Sequence, residues 1–289
     1  MSWKDLFSAG ASDYARYRPT YPPALFAWLA NVAPGRTHAV DVGTGNGQAA
    51  VALAGHFQEV VGLDPSESQI ARAEPRPNVD YRVARAEKTG LPAESADLVV
   101  AAQCFHWFDA PAFFAEMARV LRPRGILALV SYGLAEIDPA VDRVVLQLYH
   151  ELDAFWEPER RLVEEGYRSV VAPFPELPAP PFDMQQEWTL AQLVGYLGTW
   201  SPLPRYRQER GHDPLEAVVP ELQAARDTAA TTNAAGAPQA STCHSGADIT
   251  PSRTISTPAT VSRPKHAASV ISPVSAASRA TRPRAPFMT

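Results

Sequence analysis

Apolar, β-branched runs recur at 37–42 (THAVDV), 58–63 (QEVVGL), 79–84 (VDYRVA), 97–102 (DLVVAA) and 125–132 (GILALVSY), and stretches with helical spacing fill most of the gaps. That alternation predicts an α/β fold with a parallel sheet. The clearest connecting helix is Pro111-Ala-Phe-Phe-Ala-Glu-Met-Ala-Arg-Val-Leu. Asp109 is placed to cap it, Pro111 suits its first turn, and Phe114, Met117, Val120 and Leu121 form a stripe for the sheet. The run Arg122-Pro123-Arg124-Gly125 then stops it. Further on, 138–170 reads as amphipathic helix, 171–181 as proline-rich loop, 182–188 as one more strand and 189–200 as a helix, a region suited to covering the ligand face of the sheet.

After about Arg226 the pattern ends. From Thr228 to Thr289 there is no Leu, Tyr, Trp or Glu, and Arg253, Arg263, Lys265, Arg279, Arg282 and Arg284 oppose only Asp248. Such a composition buries too little apolar surface to offset its ordering entropy, so residues 227–289 are expected to form a disordered low-complexity tail.

Composition narrows the partners. The 289 residues are 46% hydrophobic, ample for a core, and carry a formal charge of −5 with no long basic run through residue 227. The footprint of a nucleic-acid binder is missing, which points to small molecules. Cys104 and Cys243 lie far apart without metal-ligand spacing, so neither a disulfide framework nor a metal site is expected, and a reducing cytoplasm fits. No stretch has the length of a signal peptide core or a membrane span, so a soluble protein is expected. The oligomeric state stays open.

The candidate chemistry begins at His38-Ala-Val-Asp41-Val-Gly43-Thr44-Gly45-Asn-Gly47-Gln48, an apolar run that ends in an acid and then in glycines at every second position. A strand turning sharply into a loop without side chains lets a ligand lie on the backbone. The dinucleotide fingerprint needs G-x-G-x-x-G, whereas position 48 is Gln, so the spacing argues against NAD. Asp41 at the mouth of the loop would repel a pyrophosphate but hold an ammonium, which calls for a ligand with an amino group.

With DVGTGNGQ come three more motifs in order: VVGLDPSESQI, RAEKTGLPAESADLVVAAQCFHWFD and RVLRPRGILAL. Together they resemble the class I S-adenosylmethionine-dependent methyltransferases, in the small-molecule branch that includes trans-aconitate methyltransferase and the ubiquinone/menaquinone C-methyltransferases. The resemblance covers roughly residues 10–226. It implies a Rossmann-like doubly wound sheet, with 1–35 as a lid segment, 36–135 as the cofactor-binding core and 136–226 as substrate-cap helices with the C-terminal part of the sheet. It also implies a last, antiparallel strand inserted between the fifth and sixth. Nothing after Glu221 has a strand pattern of adequate length, so a normal last strand is expected to be absent, as a shifted reading frame in a GC-rich gene would leave it.

The same resemblance assigns S-adenosyl-L-methionine as cofactor. Asp41, Gly43, Thr44, Gly45 and Gly47 would receive its methionyl and ribose portions, and Asp64 its ribose hydroxyls, unless Asp64 instead caps the helix starting at Pro65. Ala86 and Glu87 fall where relatives clasp adenine. Gln103 to Phe108 would flank the sulfonium, Gln103 on the cofactor and Trp107 on the acceptor, with His106 as candidate base or pocket wall. Arg18 could pair with the methionyl carboxylate. Tyr14, Tyr196, Trp200 and Arg205 are candidate acceptor contacts, Arg205 suiting a carboxylate. The expected activity is methyl transfer to a small-molecule oxygen or carbon. A cofactor-binding protein without turnover and an NAD-dependent oxidoreductase are the alternatives.

Overall fold

The computed structural model describes residues 16–180, 182, 184, 186–235 and 269–271. Seven strands form one sheet in the order β3-β2-β1-β4-β5-β7-β6, comprising β1 (His38–Val42), β2 (Glu59–Asp64), β3 (Val79–Val83), β4 (Ala96–Ala102), β5 (Leu121–Val130), β6 (Glu176–Leu177) and β7 (Ser269–Ile271). The pairs among β1 to β5 are parallel. The first five strands match the expected positions because their apolar runs supply both faces of a buried sheet. Val40, Val42, Val99, Ala101, Leu127 and Leu129 point to one side, and Ala39, Leu98, Val100, Ile126, Ala128 and Val130 to the other.

Helices cover both faces, as the doubly wound Rossmann-like arrangement requires. On one face lie α1 (Pro23–Val32) and α2 (Gln48–Ala54), which contribute Leu25, Phe26, Leu29, Ala50 and Leu53. After the short α3 (Glu67–Ile70), α4 (Ala110–Val120) covers the opposite face. The Asp109 carboxylate caps α4 by accepting from the Ala112 N–H at 3.1 Å. Phe113 joins Phe114, Met117 and Val120 in the buried stripe, while Leu121 already begins β5, so the Arg-Pro-Arg-Gly run lies inside a strand rather than between elements. A layer of α5 (Pro139–Glu151), α6 (Arg160–Glu164), α7 (Leu190–Gly198), α8 (Leu203–Arg210) and α9 (Leu215–Ala235) follows. Leu148, Leu197, Trp200, Leu203 and Leu222 form the core of this cap.

Two expectations are corrected. The sixth strand is Glu176–Leu177, inside the proline-rich stretch, and the described residues of 182–188 are not in a strand. Hydropathy is a poor guide to a two-residue strand, whose pairing is decided by its neighbour. Secondly, the sheet does recruit the C-terminal segment: Ser269–Ile271 pairs antiparallel with Leu127–Leu129 of β5 and with β6. The last strand is present, though only three residues long, and Ser-Val-Ile is too brief to stand out in an Ala/Ser/Thr/Pro background. The boundary expected at 226 is also crossed, because α9 continues to Ala235. The rest of the expected tail, 236–268 and 272–289, lies outside the described residues.

Strand order reverses between β1 and β4. Ligands in such sheets lie at the carboxyl ends beside that switch point. Among the described residues, no helix is long and apolar enough to cross a membrane, and no group of three His, Cys, Asp or Glu is arranged for a metal ion.

Candidate active site

The glycine loop leaves β1 at Asp41 and enters α2 at Gln48. Gly43, Gly45 and Gly47 all have positive φ (66°, 55° and 88°), a region that favours glycine. The three differ in what surrounds them. A Cβ on Gly43 would stand 2.7 Å from Cys104 Sγ, and one on Gly47 would strike the Tyr81 hydroxyl, whereas no described atom lies within 4 Å of that position on Gly45. Gly43 and Gly47 are therefore glycines for close packing, and Gly45 is the one that keeps an open surface.

Asp41 is buried beneath the loop. Its Oδ2 accepts from Thr44 Oγ1 at 2.6 Å and the Ala50 N–H at 3.0 Å, while Oδ1, equally buried, has no hydrogen-bond partner among the described residues. Burial drives the carboxyl up to about 7, against the lowering pull of Thr44 and Ala50 and with the nearby Asp64 charge adding to the rise. An orphaned buried acceptor fits a cationic ligand group. Asp64 Oδ2 accepts from the Gly45 N–H and Oδ1 from the Ser66 N–H, both at 2.9 Å, so the carboxylate ties the glycine loop to the end of β2. It is not the cap of α3. Ser66 is, its Oγ accepting from the Gln69 N–H.

Ala86 is buried at the carboxyl end of β3. The Glu87 carboxylate accepts from the Asp109 N–H at 3.0 Å and meets Arg85 Nε at 3.3 Å. Burial works to raise its pKa, but those hydrogen bonds hold it below the ordinary carboxylate value. Glu87 thus braces the start of α4.

After β4, Gln103 adopts φ of 55°, unusual for a residue with a side chain, and its Nε2 donates to the Tyr132 carbonyl at 2.8 Å. A cavity opens here. Gln103, His106, Trp107, Tyr196, Trp200 and Arg18 line it, gathering residues from three separated parts of the sequence. His106 Nδ1 lies 3.0 Å from the Tyr167 hydroxyl. Burial, with the Arg160 and Arg18 charges, pushes the imidazole down to about 3, and burial raises the Tyr167 hydroxyl well above its ordinary value. Tyr167 therefore keeps its proton and the ring is neutral, and the direction of the hydrogen bond between them follows from the ring's tautomer. Of the two roles expected for His106, base or pocket wall, a buried imidazole with so low a pKa favours the wall.

Arg205 lies elsewhere, its Nε bonded to Glu209 at 2.9 Å and its guanidinium over Phe155. Tyr14 lies outside the described residues. The cation missed from sequence is Arg160, at the start of α6. It lines the cavity, stacks 5.1 Å over the Trp156 ring, and has a buried Nε without a hydrogen-bond partner among the described residues. The run Trp156-Glu-Pro-Glu-Arg160 was a legible signal, an aromatic and a cation beside a proline break. Arg18 donates to the Thr199 carbonyl at 3.1 Å and lies 5.5 Å over Tyr196. A second cavity, bordered by Leu134, Ile137, Met184 and Trp188, shares Tyr132, Gly133 and Tyr196 with the first.

Comparison with known proteins agrees with this geometry. Residues 40–129 match the family model described as a methyltransferase domain. A Dictyostelium discoideum protein bearing the name "putative methyltransferase" is 34% identical over 224 residues, covering 76% of this chain and 84% of its own length. Methyltransferase AacuQ of Aspergillus aculeatus is 35% identical over 159 residues, 50% of this chain and 51% of its own. A solved structure of a "putative type II methyltransferase" from Anaeromyxobacter dehalogenans is 50% identical, with a TM-score of 0.68 over 72% of this chain and 89% of that one. With four ordered motifs, a glycine loop at the switch point of a doubly wound sheet and these relatives, the chain belongs to the class I S-adenosylmethionine-dependent methyltransferases.

Proposed function

We propose that the protein methylates a carboxylate oxygen of a small-molecule acid bound in the cavity beside Gln103. The observation that carries this reading is the convergence of Arg18 and Arg160 on a cavity whose histidine they help to hold neutral. A carboxylic acid is already ionised at neutral pH and needs a cation to hold it, not a base to deprotonate it. Glu157 shares the lining, so the two guanidiniums outnumber it. A carbon or phenol acceptor would need a proton removed, and a ring with a pKa of about 3 is a poor acceptor for it.

Asp41 Oδ1 would receive the cofactor's ammonium, Asp64 the ribose hydroxyls, the open face of Gly45 the atoms between them, and the buried Ala86 backbone the adenine. S-adenosylmethionine, when bound, would supply an electrophilic methyl to the acceptor oxygen and leave as S-adenosylhomocysteine, its sulfur keeping the electron pair. The protein's part is alignment and exclusion of water. Arg160 fixes the acceptor, the neutral His106 offers a hydrogen bond, and Trp107, Trp156 and Trp200 wall the cavity.

Labelled cofactor offered with matched carboxylic acids, phenols and carbon acids tests the reading. Alkali-labile methyl esters are expected, with Arg160→Gln raising KM for the acid more than tenfold. Transfer to neutral acceptors alone, or an Arg160→Gln enzyme with unchanged KM, would exclude it.

A further inference from the structure

The second cavity holds no group that the chemistry above uses. It is lined by Leu134, Ile137, Met184 and Trp188, with Pro19 and the polar Gln186, and it shares Tyr132, Gly133 and Tyr196 with the arginine-lined cavity. Tyr196 is held as a fixed panel between the two. Its ring stacks on Trp188 at 4.8 Å on one side and meets Trp200 edge-on at 6.3 Å on the other. Tyr132 is similarly pinned, 6.1 Å from the Tyr21 ring. Gly133 follows Tyr132 and lines both cavities, and no described atom lies within 4 Å of where its Cβ would stand. Its φ is not in the positive range, so the backbone does not require glycine there. Gly133 lies just beyond the carboxyl end of β5, with open space where a side chain would stand, and it lines both the cationic cavity and the apolar one.

We infer that the acceptor is a medium-chain apolar monocarboxylic acid, its carboxylate in the arginine-lined cavity and its hydrocarbon body passing Gly133 into the cavity bordered by Leu134, Ile137, Met184 and Trp188. This rests on the carboxylate reading proposed above and adds what the rest of the molecule must be. A dicarboxylate or sugar acid would bring polar groups into a chamber that has little to pair with them. An alkyl body instead gains from each methylene it buries, about fourfold in affinity per group. The small residue at 133 then acts as a specificity element that sets which bodies can pass.

The test is a titration of the S-adenosylhomocysteine-saturated protein with butanoate, hexanoate, octanoate and 1-octanol, read by tryptophan fluorescence, with methyl ester formation from each acid followed in parallel. Trp107, Trp156 and Trp200 border one cavity and Trp188 the other, so either occupant is reported. Affinity and kcat/KM are expected to rise about fourfold per methylene from butanoate to octanoate. Gly133→Val should abolish that rise, so that octanoate binds no more tightly than butanoate. Ala135 also lines the second cavity but not the first, so Ala135→Leu should do the same and keeps the test valid if the Gly133 variant folds poorly. A flat chain-length series in the wild type, or variants that weaken butanoate and octanoate equally, would overturn the inference and leave the carboxylate reading standing. Binding of 1-octanol as tight as octanoate, or no response to any acid in a protein that S-adenosylhomocysteine still stabilises, would overturn the carboxylate reading itself.

Discussion

Asp41 and Asp64 stand at the ends of adjacent strands, in different surroundings. Asp41 is desolvated with one oxygen unpartnered, whereas Asp64 accepts two backbone N–H groups at 2.9 Å. The Asp41 carboxyl holds its proton to about 7 when folded and releases it near 3.9 when unfolded, so its contribution to apo stability is lost as pH rises through that interval. An incoming ammonium favours the ionised form, so binding must release a proton below 7. The affinity for S-adenosylhomocysteine should therefore climb from pH 5.5 to 7, by at most about tenfold per unit, and Asp41→Asn should flatten the climb. Calorimetry in buffers of different ionisation enthalpy measures the released proton directly; no proton release in the wild type would refute the pairing. Asp64→Ala should weaken the same ligand by about 1.5 to 3 kcal/mol through loss of a charged acceptor, checked by calorimetry on a variant with native circular dichroism. His106→Asn should keep most of kcat, and wild-type kcat should show no ionisation near 6.5, because the ring is neutral throughout that range. A tenfold loss with a new pH dependence would restore a proton-transfer role. From sequence alone the glycines and both acids were legible, since motif spacing reports backbone shape. The meeting of Arg160 and His106 in one cavity was not, because 54 positions separate them and only the fold brings them together.

Among the elements, β4 is the one most dependent on a single polar residue. Asp97, buried at its start, accepts from the Thr37 and His38 N–H groups at 2.9 Å and from the Arg122 guanidinium at 2.7 Å, joining β1, β4 and β5. Gly35 fits beneath it, since a Cβ there would stand 2.9 Å from Oδ1. Burial pulls the carboxyl upward, but the His38, Arg122 and Thr37 donors hold it below its ordinary range. A depressed acid contributes stability above its unfolded pKa and loses it as pH falls through the folded one. Asp97→Ala should cost about 3 kcal/mol at pH 7, measured by urea unfolding, and should lessen the loss of stability on acidification. Equal acid sensitivity in variant and wild type would deny Asp97 this role. The α4 cap was legible because Asp-x-Pro is a local signal. The extension of β5 back to Leu121 was not, because a proline and two arginines hide it and its pairing with Ala96 follows from neighbouring strands.

At the scale of the whole molecule, the sheet is completed by a strand from a segment whose composition predicts none. Ser269–Ile271 lies between β5 and β6 and engages both. A chain ending at Ala235 should leave the β5 edge at Leu127–Leu129 unpaired, so light scattering should detect self-association and the melting temperature should fall. A monodisperse truncation with an unchanged melt would mean that the three-residue strand contributes nothing. The placement of β7 also sets an order of events during synthesis. β5 must wait for Ser269, on the order of ten seconds or more after its own residues are polymerised at ordinary translation rates. Over that interval the nascent chain presents an unpaired apolar edge beside an otherwise assembled cofactor half. A ligand or chaperone reaching the growing polypeptide would meet a glycine loop already poised to bind before its own sheet is closed.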